Sequence, residues 1–467
     1  MSVTELPEDE AVQGLHEGVR GPVLHPGDEG YEEARTVWNG MTDRYPAMIA
    51  GCTGAADVMA AVDFAREHDL LLSVKGGGHN FAGSAVCEDG LMVDLSRMDS
   101  VRVDPDARIA RVGAGATWGD FDHEAGAFGL ATTGGLVSST GVAGLTLGGG
   151  QGYLARKHGL TIDNLVGADV VTADGDLVHA SAEENPGLFW GLRGGGGNFG
   201  VVTSFEFDLH PVGSEVLGGP IFHRYEDARA ALEFYREFTA DAPDELACYA
   251  LFARVPPEEP FPEALQEEPC IVLLASYAGP VEEGEEALAP LREFGDPIAD
   301  AIQPMPYAVL QQSFDDGQPE GNRYYSKAHY LGGLPDDAID TVLEYTEPFP
   351  GPLTQVGIEP MGGAVGRVDA TATAFPHRDA AYSFGVWPGW VDPERDEELT
   401  SWAREFHEAM APHATGGVYS NYLDRDEGDR VADAYAENYE RLVELKDEWD
   451  PDNLFRMNQN VAPTDEA

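Results

Sequence analysis

Apolar residues at helical spacing first appear soon after residue 50. Val58, Ala61, Val62 and Ala65 fall on one face of a helix, because residues three and four positions apart lie together on a helix surface. Thr53 precedes them, and threonine is a favourable N-cap residue. The pattern therefore predicts a helix from Thr53 to His68.

Short apolar runs without helical spacing predict buried strands. They occupy Leu70–Val74, Leu91–Asp94, Ala110–Val112 and Ala168–Thr172. The dipeptide Asp174-Gly175 follows the last run and is typical of a tight hairpin turn. It predicts that residues 168–172 pair with the strand that begins at Asp176.

A strand with one exposed face closes the first region of the chain. Phe205, Phe207 and Leu209 alternate with polar residues up to Pro211, and this alternation is typical of a half-buried strand. Beyond it the pattern changes, since helical segments alternate with short strands over Ala228–Phe238, Ile271–Tyr277, Asp337–Tyr345 and Ala381–Val386. A second region of antiparallel sheet and helices is predicted there.

The domain boundaries follow from these changes of pattern. A chain of 467 residues is long enough for several domains of roughly 100–200 residues each. We expect a flexible acidic leader over residues 1–20, a first domain over 21–212, a second over 213–415 and a C-terminal segment over 416–467. A long helix from Asp429 to Glu448 is predicted in that last segment.

The composition is strongly acidic: 28 Lys and Arg residues oppose 83 Asp and Glu residues, a formal net charge of -55. Nucleic acids and anionic membranes are held through basic residues, so neither is an expected partner. The lysines are Lys75, Lys157, Lys327 and Lys446, and an acidic, lysine-poor surface is typical of haloarchaeal proteins. An acidic patch for a cationic partner is the alternative.

The sequence lacks the patterns that are typical of disulfide frameworks, metal sites, secretion signals and membrane spans. The four cysteines form no CxxC pair, which predicts neither a disulfide framework nor a zinc site. His407 and His413 lack metal-ligand spacing, and no other metal site is predicted. The first residues have no basic and apolar signal pattern, and no apolar run reaches about 20 residues. We expect a cytoplasmic protein.

Four glycine clusters occur within the first 200 residues, at Gly76–Gly78, Gly134-Gly135, Gly148–Gly152 and Gly194–Gly197. Glycine allows tight turns and close approach to a ligand, and the exposed N–H groups of such loops can bind phosphate. Gly195-x-Gly197-x-x-Gly200 matches a dinucleotide fingerprint, but a strand pattern follows it where the fingerprint requires a helix. A different kind of nucleotide-binding loop is indicated.

Four ordered segments and the tail resemble one family. The segments are 73–83 (SVKGGGHNFAG), 140–150 (TGVAGLTLGGG), 156–164 (RKHGLTIDN) and 195–202 (GGGNFGVV), and the tail contains Tyr419-Ser420-Asn421-Tyr422 and Asn458-Gln459-Asn460. They are similar to the FAD-linked oxidases of the berberine-bridge-enzyme-like group, within the vanillyl-alcohol-oxidase type of flavoprotein. The resemblance implies an α+β fold, with a PCMH-type FAD-binding domain of two α/β subdomains and an inserted substrate domain of antiparallel sheet flanked by helices.

The resemblance also implies which residues bind FAD. In similar proteins the histidine of the glycine-rich box, here His79, is bonded covalently to the flavin 8α-methyl group. Val137 stands where some relatives carry a second, cysteinyl link, so no cysteinyl link is expected. The expected FAD-binding residues are Lys75, Gly76, Gly77, Gly78, His79, Asn80, Gly83, Thr140, Gly141, Gly144, Leu145, Gly148, Asn164, Gly200, Val202, Asn458 and Asn460.

The expected reaction needs a base beside the flavin. A base takes a hydroxyl proton while hydride leaves the carbon for the cofactor, and the resemblance implies Tyr422 or Tyr419 for this role. Relatives often carry Gln or Glu on a substrate-domain strand where this chain has Gly385. Lys327 and Tyr325 are further catalytic candidates, and Tyr153 is a weaker one.

The resemblance thus predicts an FAD-dependent oxidoreductase that takes hydride from a hydroxyl-bearing small molecule, an alcohol or a sugar. Oxygen or another acceptor would reoxidise the flavin. Oxidative C–C bond formation or amine oxidation is one alternative, and a flavin-carrying binding protein with little turnover is another. The sequence predicts no particular oligomeric state.

Overall fold

Two sheets form most of the N-terminal half, in a computed structural model that describes residues 9–259 and 261–466. The first has the strand order Val23–Leu24, Met48–Gly51, Leu91–Asp94 and Leu72–Lys75, with its last three strands parallel. The second is antiparallel, with the order Val101–Asp104, Ile109–Gly113, Val201–Asp208, Leu165–Val171 and Leu177–Ser181. The predicted hairpin at Asp174-Gly175 is confirmed, since Gly175 has a φ of 81° between two paired strands.

The second region contains a large antiparallel sheet. Its strand order is Ala299–Asp300, Val216–Arg224, Pro269–Tyr277, Leu246–Arg254, Gln355–Pro360, Tyr382–Trp387 and Lys327–Leu331, and Gln303–Met305 also pairs with Val216–Arg224. Two-stranded pairs join His210–Pro211 to Leu130–Ala131 and Arg323–Tyr324 to Gly389–Trp390.

The two faces of this sheet have different partners because side chains alternate along a strand. Cys248, Ala250 and Phe252 belong to a core shared with the helices on one face. Tyr249 and Leu251 lie in a second cluster that includes Tyr153 and Leu154 of the N-terminal half. The sheet therefore separates its own helical layer from the N-terminal half.

The helices lie around these sheets. In the N-terminal half they are Asp9–Gly18, Tyr31–Arg35, Ala55–Glu67, Trp118–Gly126, Val142–Gly148, Ala155–His158 and Pro186–Leu192. In the second region they are Ala228–Ala240, Val281–Arg292, Tyr307–Leu310, Asp336–Thr346 and Asp396–Met410, and the C-terminal segment adds Val431–Tyr435 and Tyr439–Trp449.

The C-terminal segment packs into the core of the N-terminal half. Leu442, Phe455 and Val461 belong to the same buried cluster as the residues of its two sheets. Lys446 forms a fully buried ion pair with Asp450 at 2.7 Å, and its ammonium also donates to the carbonyl oxygens of Asn198 and Phe455. These bonds offset the cost of burying the two charges.

Three local predictions were wrong. The leader predicted over residues 1–20 forms a helix over Asp9–Gly18, whose Leu15 is buried in the N-terminal core; residues 1–8 lie outside the described residues. Thr53 is not the N-cap of the helix Ala55–Glu67: Gly54 is, and Thr53 donates to the Asp57 carboxylate. The helix predicted from Asp429 to Glu448 is interrupted at Ala436, which has a φ of 41°.

Candidate active site

A cavity of about 340 Å³ lies where the N-terminal half, the large sheet and the C-terminal segment meet. The glycine-rich loops 76–81 and 135–145 contribute to its wall, as do 196–202 and the tail residues 455–459. The large sheet contributes Leu251, Gln355, Glu359 and Trp387. Residues far apart in the sequence therefore form one site.

The glycine-rich loops are packed backbone against backbone at the cavity wall. A Cβ atom on Gly77 would overlap the main chain of Gly141, and a Cβ atom on Gly141 would overlap the main chain of Gly77. Gly78 has a φ of 70°, a conformation that other residues rarely adopt. These glycines are thus required because the two loops cross, whereas the sequence pattern predicted tight turns or close approach to a ligand.

His79 follows this crossing and lies on the cavity wall. Its Nε2 is 2.8 Å from the hydroxyl oxygen of Ser139, and its ring stacks on Trp38 with 4.8 Å between centroids. Burial lowers the pKa of His79 to about 4, because a buried imidazole disfavours the charged form. The ring is neutral near pH 7 and retains a lone pair.

Glu359 is the functional residue that sequence reasoning missed. It lies on the strand Gln355–Pro360, reaches the cavity and is 4% exposed. The Tyr422 hydroxyl donates to its carboxylate, with distances of 3.1 and 3.3 Å to the two oxygens. Burial raises the pKa of Glu359 from its ordinary 4.5 to about 7. A carboxylate that titrates near 7 is suited to take up a proton in catalysis.

A sequence signal for Glu359 did exist. Residues of one parity along a strand share a face, so Gln355, Gly357 and Glu359 are placed together, and a glutamate within an otherwise apolar strand is unusual. Gly385 pairs with Gly357 on the neighbouring strand, and a Cβ atom there would overlap the Trp387 ring. The carboxylate thus comes from the strand beside Gly385.

Tyr419 and Tyr422 both line the cavity, but their hydroxyl groups have different partners. The Tyr419 oxygen accepts from the Gly150 N–H and from Asn421 Nδ2, each at 2.9 Å. Burial raises the pKa of Tyr419 to about 12 and that of Tyr422 well above its ordinary value. Tyr422 alone of the pair donates to a carboxylate with a raised pKa.

Lys327 and Tyr325, which the sequence placed among the catalytic candidates, do not line the cavity. Lys327 is buried and forms ion pairs with Asp426 at 2.8 Å and Glu427 at 2.9 Å. The Tyr325 hydroxyl donates to Asp426 at 2.6 Å. Both residues fix the loop that follows Tyr422, which is a correction of their predicted role. Tyr153 is also away from the wall and packs edge-on against Tyr249.

Most of the predicted cofactor residues lie on the cavity wall. These are Gly76, Gly77, Gly78, His79, Asn80, Thr140, Gly141, Gly144, Leu145, Gly200, Val202 and Asn458.

Four of the others do not themselves line the cavity, which corrects their predicted role. Lys75 donates to the carbonyl oxygens of Ala34 and Thr36. Gly83 packs on Thr42, and Gly148 packs on Asn421. Asn164 donates to two loop carbonyl groups.

Buried polar atoms at the tail have no partner within the described residues. Asn458 Nδ2 donates to the Gly197 and Phe455 carbonyl oxygens, whereas its Oδ1 accepts no bond there. Asn460 Oδ1 and Trp387 Nε1 are also buried without a hydrogen-bond partner among the described residues. Because buried polar groups are normally hydrogen-bonded, these atoms fit a large ligand that carries donors and acceptors.

The cation content of the wall is also informative. Among the described residues, no lysine, arginine or cysteine lines the cavity, and Val137 lies on the wall. The nearby Arg378 is fully engaged by Asp163, with bonds of 2.7 and 2.9 Å. Within the described chain, no group of three or more His, Cys, Asp or Glu side chains could hold a metal ion.

Comparisons with known proteins agree with this geometry. Residues 46–181 match the FAD binding domain family and residues 418–462 match the family described as berberine and berberine like. An FAD-linked oxidoreductase of Dictyostelium discoideum is 31% identical over 96% of this chain and 96% of its own length. The (R)-6-hydroxynicotine oxidase of Paenarthrobacter nicotinovorans is 31% identical over 95% of this chain and 97% of its own.

A solved structure gives the same result. The xylooligosaccharide oxidase of Myceliophthora thermophila, in complex with xylobiose, superposes with a TM-score of 0.84 at 26% identity, over 97% of this chain and 99% of that chain. The chain is an FAD-dependent oxidoreductase with the fold of a PCMH-type FAD-binding domain, as predicted. The chain belongs to the berberine-bridge-enzyme-like family of FAD-linked oxidoreductases.

The residues present fit FAD. The glycine-rich loops form part of the cavity wall, and the unpartnered atoms of Asn458 and Trp387 on the same wall supply hydrogen-bonding sites. When bound, FAD accepts a hydride from the substrate and passes the electrons to an acceptor.

The helices of the described residues include none with the length and apolar character that a membrane span requires.

Proposed function

We propose that this protein oxidises a hydroxyl-bearing small molecule, an alcohol or a sugar, with FAD attached to His79 and with oxygen or another molecule as the electron acceptor. The observation that carries the proposal is the buried Glu359 bonded to Tyr422 on the cavity wall. A buried acid with a pKa near 7 that is bonded to a phenol on the cavity wall is suited to proton transfer, which a binding protein with little turnover does not need. Perturbed acids of this kind cluster at catalytic sites.

Tyr422 and Glu359 act together on the substrate proton in this proposal. Phenols ionise near pH 10, and burial moves Tyr422 further from ionisation. The phenol can nevertheless pass its own proton to Glu359 while it takes the proton of the substrate hydroxyl. Glu359 thus lets Tyr422 act as a base without a free phenolate. Tyr419 holds Asn421 and the Gly150 loop in place.

Attachment through His79 is supported by its protonation state. A neutral imidazole has a lone pair for bond formation, and the pKa of about 4 keeps the ring neutral in ordinary buffers. Val137 occupies the wall where a cysteine would have to lie for a second link. We therefore propose a single histidyl link and no cysteinyl link.

Amine oxidation is the second candidate. It is favoured by the similarity to a hydroxynicotine oxidase and by the apolar side chains of Leu251, Phe314 and Trp387 on the sheet side of the cavity. Ionised Glu359 could also attract a basic nitrogen. Gln318 and Gln355, hydrogen-bonded to each other at 2.9 Å, offer the polar contacts that a hydroxyl-rich substrate would use instead.

The test is anaerobic mixing of the holoenzyme with alcohols, sugars and aromatic amines while the flavin absorbance is followed. Bleaching by alcohols or sugars supports the proposal, and bleaching by amines alone supports the second candidate. Absence of bleaching with all three classes would contradict both. The variant Glu359→Gln serves as the control for bleaching that does not depend on the site.

We further propose that the protein works in a saline cytoplasm. It is supported by the net charge of -55 and the four lysines. A hydrated acidic surface stays dispersed when salt screens its charges. Fractionation of the source cells and the salt dependence of stability test the two parts separately.

A further inference from the structure

We propose that Ser139 and Trp38 are positioning residues for the covalent attachment of FAD, and that they hold the His79 ring in the orientation that attachment requires. The inference rests on the proposed histidyl link and adds what orients the attaching ring. It also makes attachment depend on contact with the substrate domain. Three contacts carry it.

The first contact fixes one ring nitrogen. His79 Nε2 is 2.8 Å from the Ser139 hydroxyl, and no hydrogen bond is found for Nδ1 within the described residues. A hydrogen bond at one imidazole nitrogen selects the tautomer and leaves the other nitrogen available. Ser139 occupies Nε2, so Nδ1 is the nitrogen without a partner among the described residues. In the tautomer whose Nε2–H donates to Ser139, the lone pair lies on Nδ1 and can form a bond.

The second contact fixes the plane of the ring. Trp38 stacks on His79 with an angle of 16° between the rings. On its other side Trp38 stacks on Tyr324, with 4.0 Å between centroids and an angle of 8°. A ring held by stacking cannot rotate freely about its side-chain bonds, so His79 presents a fixed edge to the cavity.

The third contact ties this stack to the substrate domain. The Trp38 indole N–H donates to the Gln318 carbonyl at 3.0 Å, and Tyr324 lies on the short strand Arg323–Tyr324 of the same region. The loop that carries Ser139 is held there too, because Ser138 donates through its N–H to Asp315 at 2.8 Å. Both supports of His79 are thus anchored across the domain boundary.

The attachment reaction balances with these groups. One C–H bond of the 8α-methyl group breaks and one C–N bond to Nδ1 forms. The two electrons of the broken bond remain in the flavin ring, and two protons are released, one from carbon and one from Nε2. The reduced ring takes up both protons, and oxygen then removes two electrons and two protons as hydrogen peroxide. Ser139 accepts the hydrogen bond of the Nε2 proton that must leave.

The experiment measures covalent attachment, not turnover. Holoenzymes with Ser139→Ala, Ser139→Thr, Trp38→Leu and Trp38→Phe are kept in air-saturated buffer and denatured at intervals. Intact mass and flavin fluorescence of the denatured chain give the rate at which bound FAD becomes covalent. We expect Ser139→Ala and Trp38→Leu to be slower by about tenfold or more. Ser139→Thr keeps the hydroxyl and should be close to wild type. Trp38→Phe keeps a stacking ring but loses the N–H bond to Gln318, and its rate should lie between those of the wild type and Trp38→Leu.

Controls separate this inference from the proposal on which it rests. Ser138→Ala removes the hydroxyl that donates to Asp315 but keeps the Ser138 N–H bond to the same carboxylate, so it should slow attachment less than Ser139→Ala does. Attachment at the wild-type rate in both Ser139→Ala and Trp38→Leu would overturn the positioning role but leave the histidyl link standing, provided that His79→Ala carries no covalent FAD. A wild-type protein that releases all its FAD on denaturation would overturn the link itself.

Discussion

Replacement of Glu359 by glutamine should slow the reaction and stabilise the fold, and both effects should depend on pH. Burial holds the pKa of Glu359 at about 7, against 4.5 in the unfolded chain. Below pH 4.5 the acid is protonated in both states and costs nothing. Above pH 7 the folded state must ionise a buried acid, and 2.5 pKa units correspond to about 3 kcal/mol. Glutamine does not titrate, so the variant gains that amount as pH rises.

The assay combines two measurements on the wild type and the variant. Urea unfolding of the holoenzyme at pH 5 and pH 8.5 gives the difference in unfolding free energy, which should be larger at pH 8.5. Anaerobic flavin reduction should be slower by ~10²–10⁴-fold, as expected for loss of a general base. In the wild type the rate of flavin reduction should increase with pH near 7, and this increase should be absent from the variant. A stability difference that is the same at both pH values would refute the reasoning from burial.

Asp122 provides a matched control for this prediction. Burial raises its pKa to about 7 as well, and it is bonded to Gln311 at 3.2 Å on the boundary between the two regions. It does not line the cavity. Asp122→Asn should therefore show the same pH-dependent gain in stability with unchanged flavin reduction. An equal loss of activity in this variant would show that neutralising any buried acid is harmful.

Four further predictions follow from the site, the charge and the core. Tyr422→Phe should slow flavin reduction by ~10²–10⁴-fold and Tyr419→Phe by only a few-fold in stopped-flow traces; equal losses would contradict the assignment of the proton to Tyr422. His79→Ala should retain FAD that is released entirely by acid precipitation, and flavin left on the variant chain would exclude His79 as the attachment site. Melting temperature should rise between 0.01 M and 1 M KCl, where the Debye length falls from ~30 to ~3 Å; an unchanged value would contradict the halophilic interpretation. Lys446→Met, which leaves the buried Asp450 without its cation, should destabilise the fold by about 3–5 kcal/mol in urea titrations, and a loss below about 1 kcal/mol would contradict the importance of this pair.

Local patterns predicted most strands correctly because their signals are local. The hairpin at Asp174-Gly175 and the alternation at Phe205 and Phe207 need no knowledge of distant residues, and both appear in the structure. No glycine or proline lies near Ala436, so the sequence carries no local signal for the break in this helix. The φ of 41° at Ala436 is a conformation that alanine rarely adopts, so the residue type could not predict the break.

The site was predicted where it lies in glycine-rich loops and missed where it depends on strand register. Gly77 and His79 were found because a ligand-binding loop has a characteristic composition. Glu359 reaches the cavity through a pairing that places Gly357 opposite Gly385, and the sequence does not show which strands are neighbours. Lys327 was misjudged for the same reason, since its partners Asp426 and Glu427 are about 100 residues away.

The position of the C-terminal segment in the N-terminal core sets an order of events during synthesis. A ribosome releases the strands of the first 210 residues long before Leu442, Phe455 and Val461 leave its exit tunnel. Until then the nascent N-terminal half lacks part of its buried cluster, and the cavity lacks the wall that residues 455–459 supply. The middle region has its own core and can fold before the N-terminal half is complete. FAD can therefore be enclosed only after residues 455–459 have left the exit tunnel, and a nascent chain stalled before residue 440 should not retain it.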